Sequence, residues 1–170
     1  MRDNAPVIIF CYRRKIDKLI NSLLKNKEAK ETELFIFSDG FKSDIDKKDV
    51  INVRESLKKI SGFKLIHIIE SGRNKGLANS IIEGTTKVID KVGKTIVLED
   101  DLIVSPHFLN FMNKSLNLYQ NKKNIWSISG YSPVIPKLDK YKNEVYLSLR
   151  SSSWGWATWV DRWKKVDWSI

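Results

Sequence analysis

Glu99-Asp100-Asp101 sets three carboxylates in a row. Like charges crowded in this way repel and raise one another's pKa unless a cation neutralises them. Hard oxygen ligands suit Mg²⁺ or Mn²⁺, and such sites commonly hold a substrate phosphate as well. Ahead of the triplet runs Lys94-Thr95-Ile96-Val97-Leu98, a β-branched stretch that predicts a buried strand. Behind it, Leu102-Ile103-Val104 leads to Ser105 and Pro106, which suit a helix N-cap and first helical position. The carboxylates therefore stand where a core strand leaves a sheet. On the triplet alone a solvated acidic turn is an equal reading, since acidic residues are common after strands.

The elements that must position the triplet alternate along the chain. Val7 to Tyr12 is a near-continuous apolar run, and Ile16, Leu19, Ile20, Leu23 and Leu24 then recur at helical spacing. Leu34 to Phe37 predicts a second buried strand, stopped by Ser38-Asp39-Gly40. Val50, Val53, Leu57 and Ile60 suggest a helix, and Phe63 to Ile69 a third strand. A helix over Leu77 to Ile89 follows Gly76, and Phe108, Leu109, Met112, Leu116 and Tyr119 give the helix after the triplet its apolar stripe. Repeated strand–helix units with apolar strands imply a mostly parallel sheet covered on both faces. After about residue 124 the rhythm changes. Ile125 to Tyr131 reads as a strand, Ser132 to Asn143 as a loop, and Val145 to Leu149 as another strand. The tryptophans then crowd together at Trp154, Trp156, Trp159, Trp163 and Trp168, too densely for a routine core.

Whole-chain properties narrow the classes. At 170 residues and 42% hydrophobic, the chain suits one domain with a real core. It has no apolar run approaching the roughly 18 residues of a membrane-spanning helix. The opening residues lead into a strand without a signal-peptide core. The single Cys11 cannot form an internal disulfide and reads as a packed thiol in a reducing cytoplasm. The net charge of +10 comes mainly from scattered lysines rather than one basic block, which favours anionic small ligands or lipid over nucleic acid.

In parallel sheets ligands bind outside the carboxyl ends of the strands. Tyr12-Arg13-Arg14, Ser38-Asp39-Gly40, Ser71 to Gly76 and the acidic triplet all leave strands at that edge. Cations, a lone Asp, glycine turns and three carboxylates together suit a nucleoside diphosphate with a metal. Each element also has a plain structural reading. Asp39-Gly40 is a turn signal, Arg13 and Arg14 suit a solvated surface, His67 suits a packed or surface strand position, and His107 a surface helix start. Glycine spacing fits neither a dinucleotide fingerprint nor a phosphate loop.

The ordered combination resembles the nucleotide-sugar glycosyltransferases of GT-A fold. The likeness is to family-2-type bacterial enzymes and, more distantly, to N-acetylglucosaminyltransferase I. The matching segments are Pro6 to Arg14, Ser38-Asp39-Gly40, Arg73 to Ser80, Leu98 to Leu102 with Ser105 to Leu109, and Trp154 to Trp159. The resemblance implies a single GT-A domain over 1–170, a Rossmann-like three-layer α/β/α sandwich with a mostly parallel central sheet. It also implies a Mn²⁺ or Mg²⁺ cofactor held by Asp101 and a UDP-sugar donor. Tyr12, Arg13 and Asp39 would contact base and ribose, and Asn74 and Lys75 would lie beside the nucleotide. Glu99 and Asp100 would face ribose, donor sugar or metal-bound water. Trp154, Gly155 and Trp156 would help build the acceptor side. The implied reaction is an inverting transfer to a saccharide or glycolipid in bacterial surface polysaccharide synthesis, in the cytoplasm at the inner face of a membrane.

The end of the chain departs from the pattern. Relatives continue past the Trp-Gly-Trp segment, and nothing here matches their proposed base. Asp161 and Asp167 are the nearest carboxylates. The expectation is a C-terminally truncated chain that binds donor and transfers sugar poorly, with a Trp-rich segment covered by missing sequence or by a second copy of the chain. Two other classes compete. A sugar-phosphate nucleotidyltransferase would share the sheet and metal but wants a glycine-rich loop after the first strand, where Tyr12-Arg13-Arg14-Lys15 has none. A non-catalytic module for nucleic acid or an anionic surface would explain the charge but not the acidic triplet.

Overall fold

The computed structural model describes residues 4–136 and 141–169. Its elements, in chain order, are β1 (Val7–Cys11), α1 (Asp17–Leu23), β2 (Glu33–Ser38), α2 (Asp44–Leu57), β3 (Leu65–Glu70), α3 (Leu77–Val92), β4 (Lys94–Glu99), α4 (Phe108–Tyr119), β5 (Ile128–Ser129), β6 (Trp156–Trp159) and α5 (Val160–Trp163). The protein is α/β. Six strands form one open sheet in the order β3-β2-β1-β4-β6-β5. The first four are parallel, while β6 runs antiparallel to β4 and β5 antiparallel to β6. The carboxyl ends of β1 to β4 therefore share one edge, as the strand–helix alternation predicts.

Strand side chains alternate between the two faces. Val7, Ile9 and Cys11 join Leu34, Ile36, Ile96 and Leu98 on one face, where α1, α2 and α4 add Leu19, Leu23, Val53, Leu57, Leu109 and Met112. Ile8, Phe10 and Val97 face the other way, against Val88 of α3. Helices on both faces explain why β1 is buried at every position.

Several boundaries differ from the sequence reading. α4 begins at Phe108, two residues beyond Pro106. The buried Asn26 takes the capping role assigned to Ser105: its Oδ1 accepts the Leu109 N–H at 2.9 Å, while its amide donates to Ser22 and Ser105 carbonyls. The strand expected over Ile125 to Tyr131 shrinks to Ile128–Ser129. Its partner β6 starts at Trp156, directly after Gly155 turns the backbone at φ +73, which stops pairing towards Tyr131, while at the other end the Thr158 hydroxyl donates to the Trp126 carbonyl. The strand expected over Val145 to Leu149 does not form, and Val145, Leu147 and Leu149 lie exposed with no strand beside them among the described residues.

The crowded tryptophans are in part an ordinary core, contrary to the density reading. Trp159 is 3% and Trp163 5% exposed. The Trp159 indole donates to the Leu116 carbonyl of α4, and the Trp163 indole to the Thr86 hydroxyl of α3. Trp156 stacks on Trp163 and packs beside Phe10 and Val97. The segment is a four-residue strand followed by a four-residue helix, with Trp154 and Trp168 left exposed.

Candidate functional site

At the carboxyl edge each strand end is tied to its neighbour by a side chain. Asp39 follows β2, and its carboxylate accepts N–H bonds from Gly40, Lys75 and Gly76 at 2.9–3.1 Å. Both oxygens are thereby engaged within the chain. Asn74 donates in return to the Gly40 carbonyl at 2.8 Å. Gly40 is required by close approach, since a Cβ there would sit 2.4 Å from the Arg73 carbonyl carbon. Arg54, on α2, fastens the same corner by donating to the carbonyls of Ser38, Asp39 and Ser71 and to the Ser38 hydroxyl. A recess of about 200 Å³ opens beside this corner, with Ser38, Asp39, Ser71, Lys75, Glu83 and Lys87 in its lining. The Lys75 ammonium is paired with Glu83 there.

The loop after β1 is anchored at its base. Tyr12 donates its hydroxyl to Asp46 at 2.8 Å, and Arg13 pairs with the same carboxylate. Arg14 turns the other way. Its Nη1 lies 3.0 Å from Asp100 Oδ1 and 2.9 Å from Asp101 Oδ2, so one guanidinium nitrogen bridges both carboxylates.

Glu99 and Asp100 sit in an environment that resists their ionisation. Burial raises the Glu99 pKa first, then the charges of Asp101 and Asp100, with Ser153 offsetting them in part. Burial likewise raises Asp100, opposed by Arg14 and then aggravated by Asp101. Asp101 is the most open of the triplet, its side chain 57% exposed against 20% for Asp100. Beneath them the Cys11 thiol is pushed up to about 12, chiefly by burial and then by Asp100. It stays protonated and serves as core.

β6 brings its own residues to this edge. Trp156 pairs with Val97, so the chain before it runs past Leu98 and Glu99. A Cβ on Gly155 would meet Leu98 and Phe108 side chains. Trp154 is exposed, and its ring lies 4.5 Å from that of Tyr131. An aromatic surface thus flanks the triplet, and only its Trp154 half was legible in the sequence.

The two carboxylates considered for base chemistry are elsewhere. Lys94 pairs with Trp159, so Asp161 lies at the amino end of β4, the full strand length away from Glu99. Lys123 and Arg162 hold its carboxyl down at about 2. Asp167 bonds back to Ser169, which lowers its pKa too. Asp161 is not brought to the triplet, and among the described residues no hydrogen bond or ion pair joins Asp167 to it. His67 stacks on Phe35 at 4.2 Å, and His107 is exposed at the start of α4.

Among the described residues no three acidic, histidine or cysteine side chains converge as a ready metal cage. Two adjacent aspartates holding one cation between them is a different arrangement, and it is what Asp100 and Asp101 do with Arg14. It fits a hexacoordinate cation that takes only one or two carboxylates and draws its other ligands from phosphate and water. Arg14, Arg54, Asp46 and Tyr131 are the site residues that sequence reasoning did not assign. Only Arg14 carried a signal, through its place in the loop after β1. No protein-family model matches the chain, and no curated protein matches it. No helix among the described residues is long and apolar enough to cross a membrane.

Proposed function

We propose that the chain is a glycosyltransferase domain of GT-A type, a three-layer α/β/α sandwich that binds a nucleoside-diphosphate sugar, with UDP as the expected nucleotide. The observation that carries this reading is the carboxyl end of β4. There Asp100 and Asp101 converge on the Arg14 guanidinium within about 3 Å, at the strand edge where parallel sheets bind ligands, with an exposed aromatic pair alongside. Asp101, the more open carboxylate, would hold Mn²⁺ or Mg²⁺ with Asp100 beside it. That ion supplies charge stabilisation to a departing diphosphate. Burial raises the pKa of Glu99, whose carboxyl would face a sugar or ribose hydroxyl.

The Asp39 corner frames the nucleotide side. Because its oxygens are occupied by the Lys75 and Gly76 amides, Asp39 shapes the loop that meets the base instead of offering a free carboxylate. Tyr12 and Arg13 fix the opposite loop through Asp46. Trp154 and Tyr131 offer ring faces to an acceptor saccharide, as aromatic–sugar stacking requires. Asp161 and Asp167 are given no part in proton transfer, because the strand separates Asp161 from the triplet and Asp167 is bonded locally.

Calorimetric titration with UDP in the presence of Mn²⁺ tests the reading. Saturable, metal-dependent binding is expected. Asp101→Ala should abolish it while shifting unfolding free energy by no more than about 0.5 kcal/mol, as for other exposed substitutions. A folded sample that binds no nucleoside diphosphate with metal overturns the proposal.

A further inference from the structure

We propose that Arg14 is an internal substitute for the metal ion: its guanidinium closes Asp100 and Asp101 to a divalent cation until a nucleoside diphosphate draws it away. This rests on the donor-site reading above and adds a rule for how the site loads. The geometry supports it in three ways. One nitrogen of Arg14 sits 3.0 Å from Asp100 Oδ1 and 2.9 Å from Asp101 Oδ2, so a cation between those oxygens would meet a positive charge at contact distance. The Arg14 side chain is 60% exposed, and among the described residues it pairs with these two carboxylates alone, so it can swing into solvent once they let go. The loop beneath does not have to move, because Tyr12 and Arg13 are pinned to Asp46 on α2. The side chain alone can swing.

A diphosphate changes the balance twice. It offers the planar guanidinium a bidentate partner of higher charge than a carboxylate. It also supplies oxygen ligands that two aspartates lack. Nucleotide and metal therefore bind better together than apart, and the coupling must be reciprocal: each raises the other's affinity by the same factor.

The test measures Mn²⁺ binding by electron paramagnetic resonance, with and without UDP, in the wild type and in Arg14→Gln. In the wild type, Mn²⁺ alone binds weakly and UDP strengthens it. In Arg14→Gln, removing a unit charge about 5 Å from the ion should tighten Mn²⁺ alone by about tenfold, and the UDP-induced gain should shrink. Arg14→Lys keeps the charge without the fork and should tighten Mn²⁺ less than Arg14→Gln. Adding Asp101→Asn to Arg14→Gln should erase the gain, which places the effect at the triplet. If Arg14→Gln binds Mn²⁺ alone no better than the wild type, while the wild type still binds UDP with Mn²⁺, the gating role is wrong and the donor site stands. If neither protein binds Mn²⁺ with or without UDP, the donor-site reading itself fails and takes the gate with it. Arg14→Lys carries the same comparison should Arg14→Gln fail to fold.

Discussion

At the amino end of β4, Asp161 lies between Lys123 and Arg162, which hold its carboxyl at about 2; at the carboxyl end, burial and crowding push Glu99 and Asp100 upward. The arginines at the two ends differ as much. Arg162 is 3% exposed, stacks on Trp159, and donates to the carbonyls of Tyr119, Gln120, Lys122 and Ile125, closing the end of α4. Arg14 is mostly in water and touches only two acids. Charges at the amino end satisfy their surroundings, and those at the carboxyl end are left in conflict. Conflict of this kind is expected where stability yields to chemistry.

The contrast is easiest to break at Arg162. Arg162→Ala would strand the carbonyls at the end of α4 and in the segment after it and empty a buried site, and should lower unfolding free energy by on the order of 3 kcal/mol. Urea unfolding measures the loss, and the protein that remains folded should bind UDP and Mn²⁺ as before. Gly40→Ala joins the two kinds of effect, because its new methyl meets the Arg73 backbone 2.4 Å away in the loop held by Asp39. It should cost about 2 kcal/mol and weaken nucleotide binding together. A large stability loss with unchanged binding would detach the Asp39 corner from the site.

Asp161→Asn sharpens the comparison through pH. The folded pKa of Asp161, about 2, lies below its ordinary value of 3.8. Its stabilisation is therefore complete above the ordinary value and fades as pH falls towards 2. The side chain is 40% exposed, so solvent screening limits the difference at neutral pH to at most about 1 kcal/mol. Urea midpoints across that range should converge for parent and variant at the acid end.

Glu99→Gln should act with the opposite sign and be the smallest change. A carboxyl whose folded pKa is raised opposes folding when ionised and ceases to do so once protonated in both states. The variant should be slightly more stable than the parent at neutral pH and equal to it below the ordinary carboxylate range. Greater stability at neither pH would remove Glu99 from the conflicted set.

The sheet was legible because buried parallel strands write themselves as apolar runs. Val7 to Cys11 and Thr95 to Leu98 are buried on both faces and allow no other reading. The polar ends of those strands were legible for the same reason, since the chain must leave the core there. What could not be read was reach. Nothing local to Asn26 says that it caps a helix 83 residues on, nor to Arg54 that it fastens two strand ends. Asp161 shows the reverse. It is the nearest carboxylate after the Trp-Gly-Trp segment in sequence, but β6 runs antiparallel to β4 and carries it to the other end. The tryptophans misled because density was read without direction. Alternation in β6 sends Trp156 to one face and Trp159 to the other, where each finds a separate core.

The bond from the Gly130 N–H to the Gly155 carbonyl, at 2.7 Å, closes a ring in the path of the chain. The chain leaves the sheet after Gly130 and re-enters it at Gly155 through that one doorway. Lengthening such an excursion costs only about 0.6 kcal/mol for each doubling of its length. The sheet and the Asp39 corner lie outside the ring, while the acidic triplet meets it at Ser153, whose side chain bonds Glu99. The excursion is thus an exchangeable cassette whose two ends bear the aromatic pair, Tyr131 and Trp154. Descendants of this sequence can lengthen it between those ends and acquire a new surface, provided Ser153 stays beside Glu99.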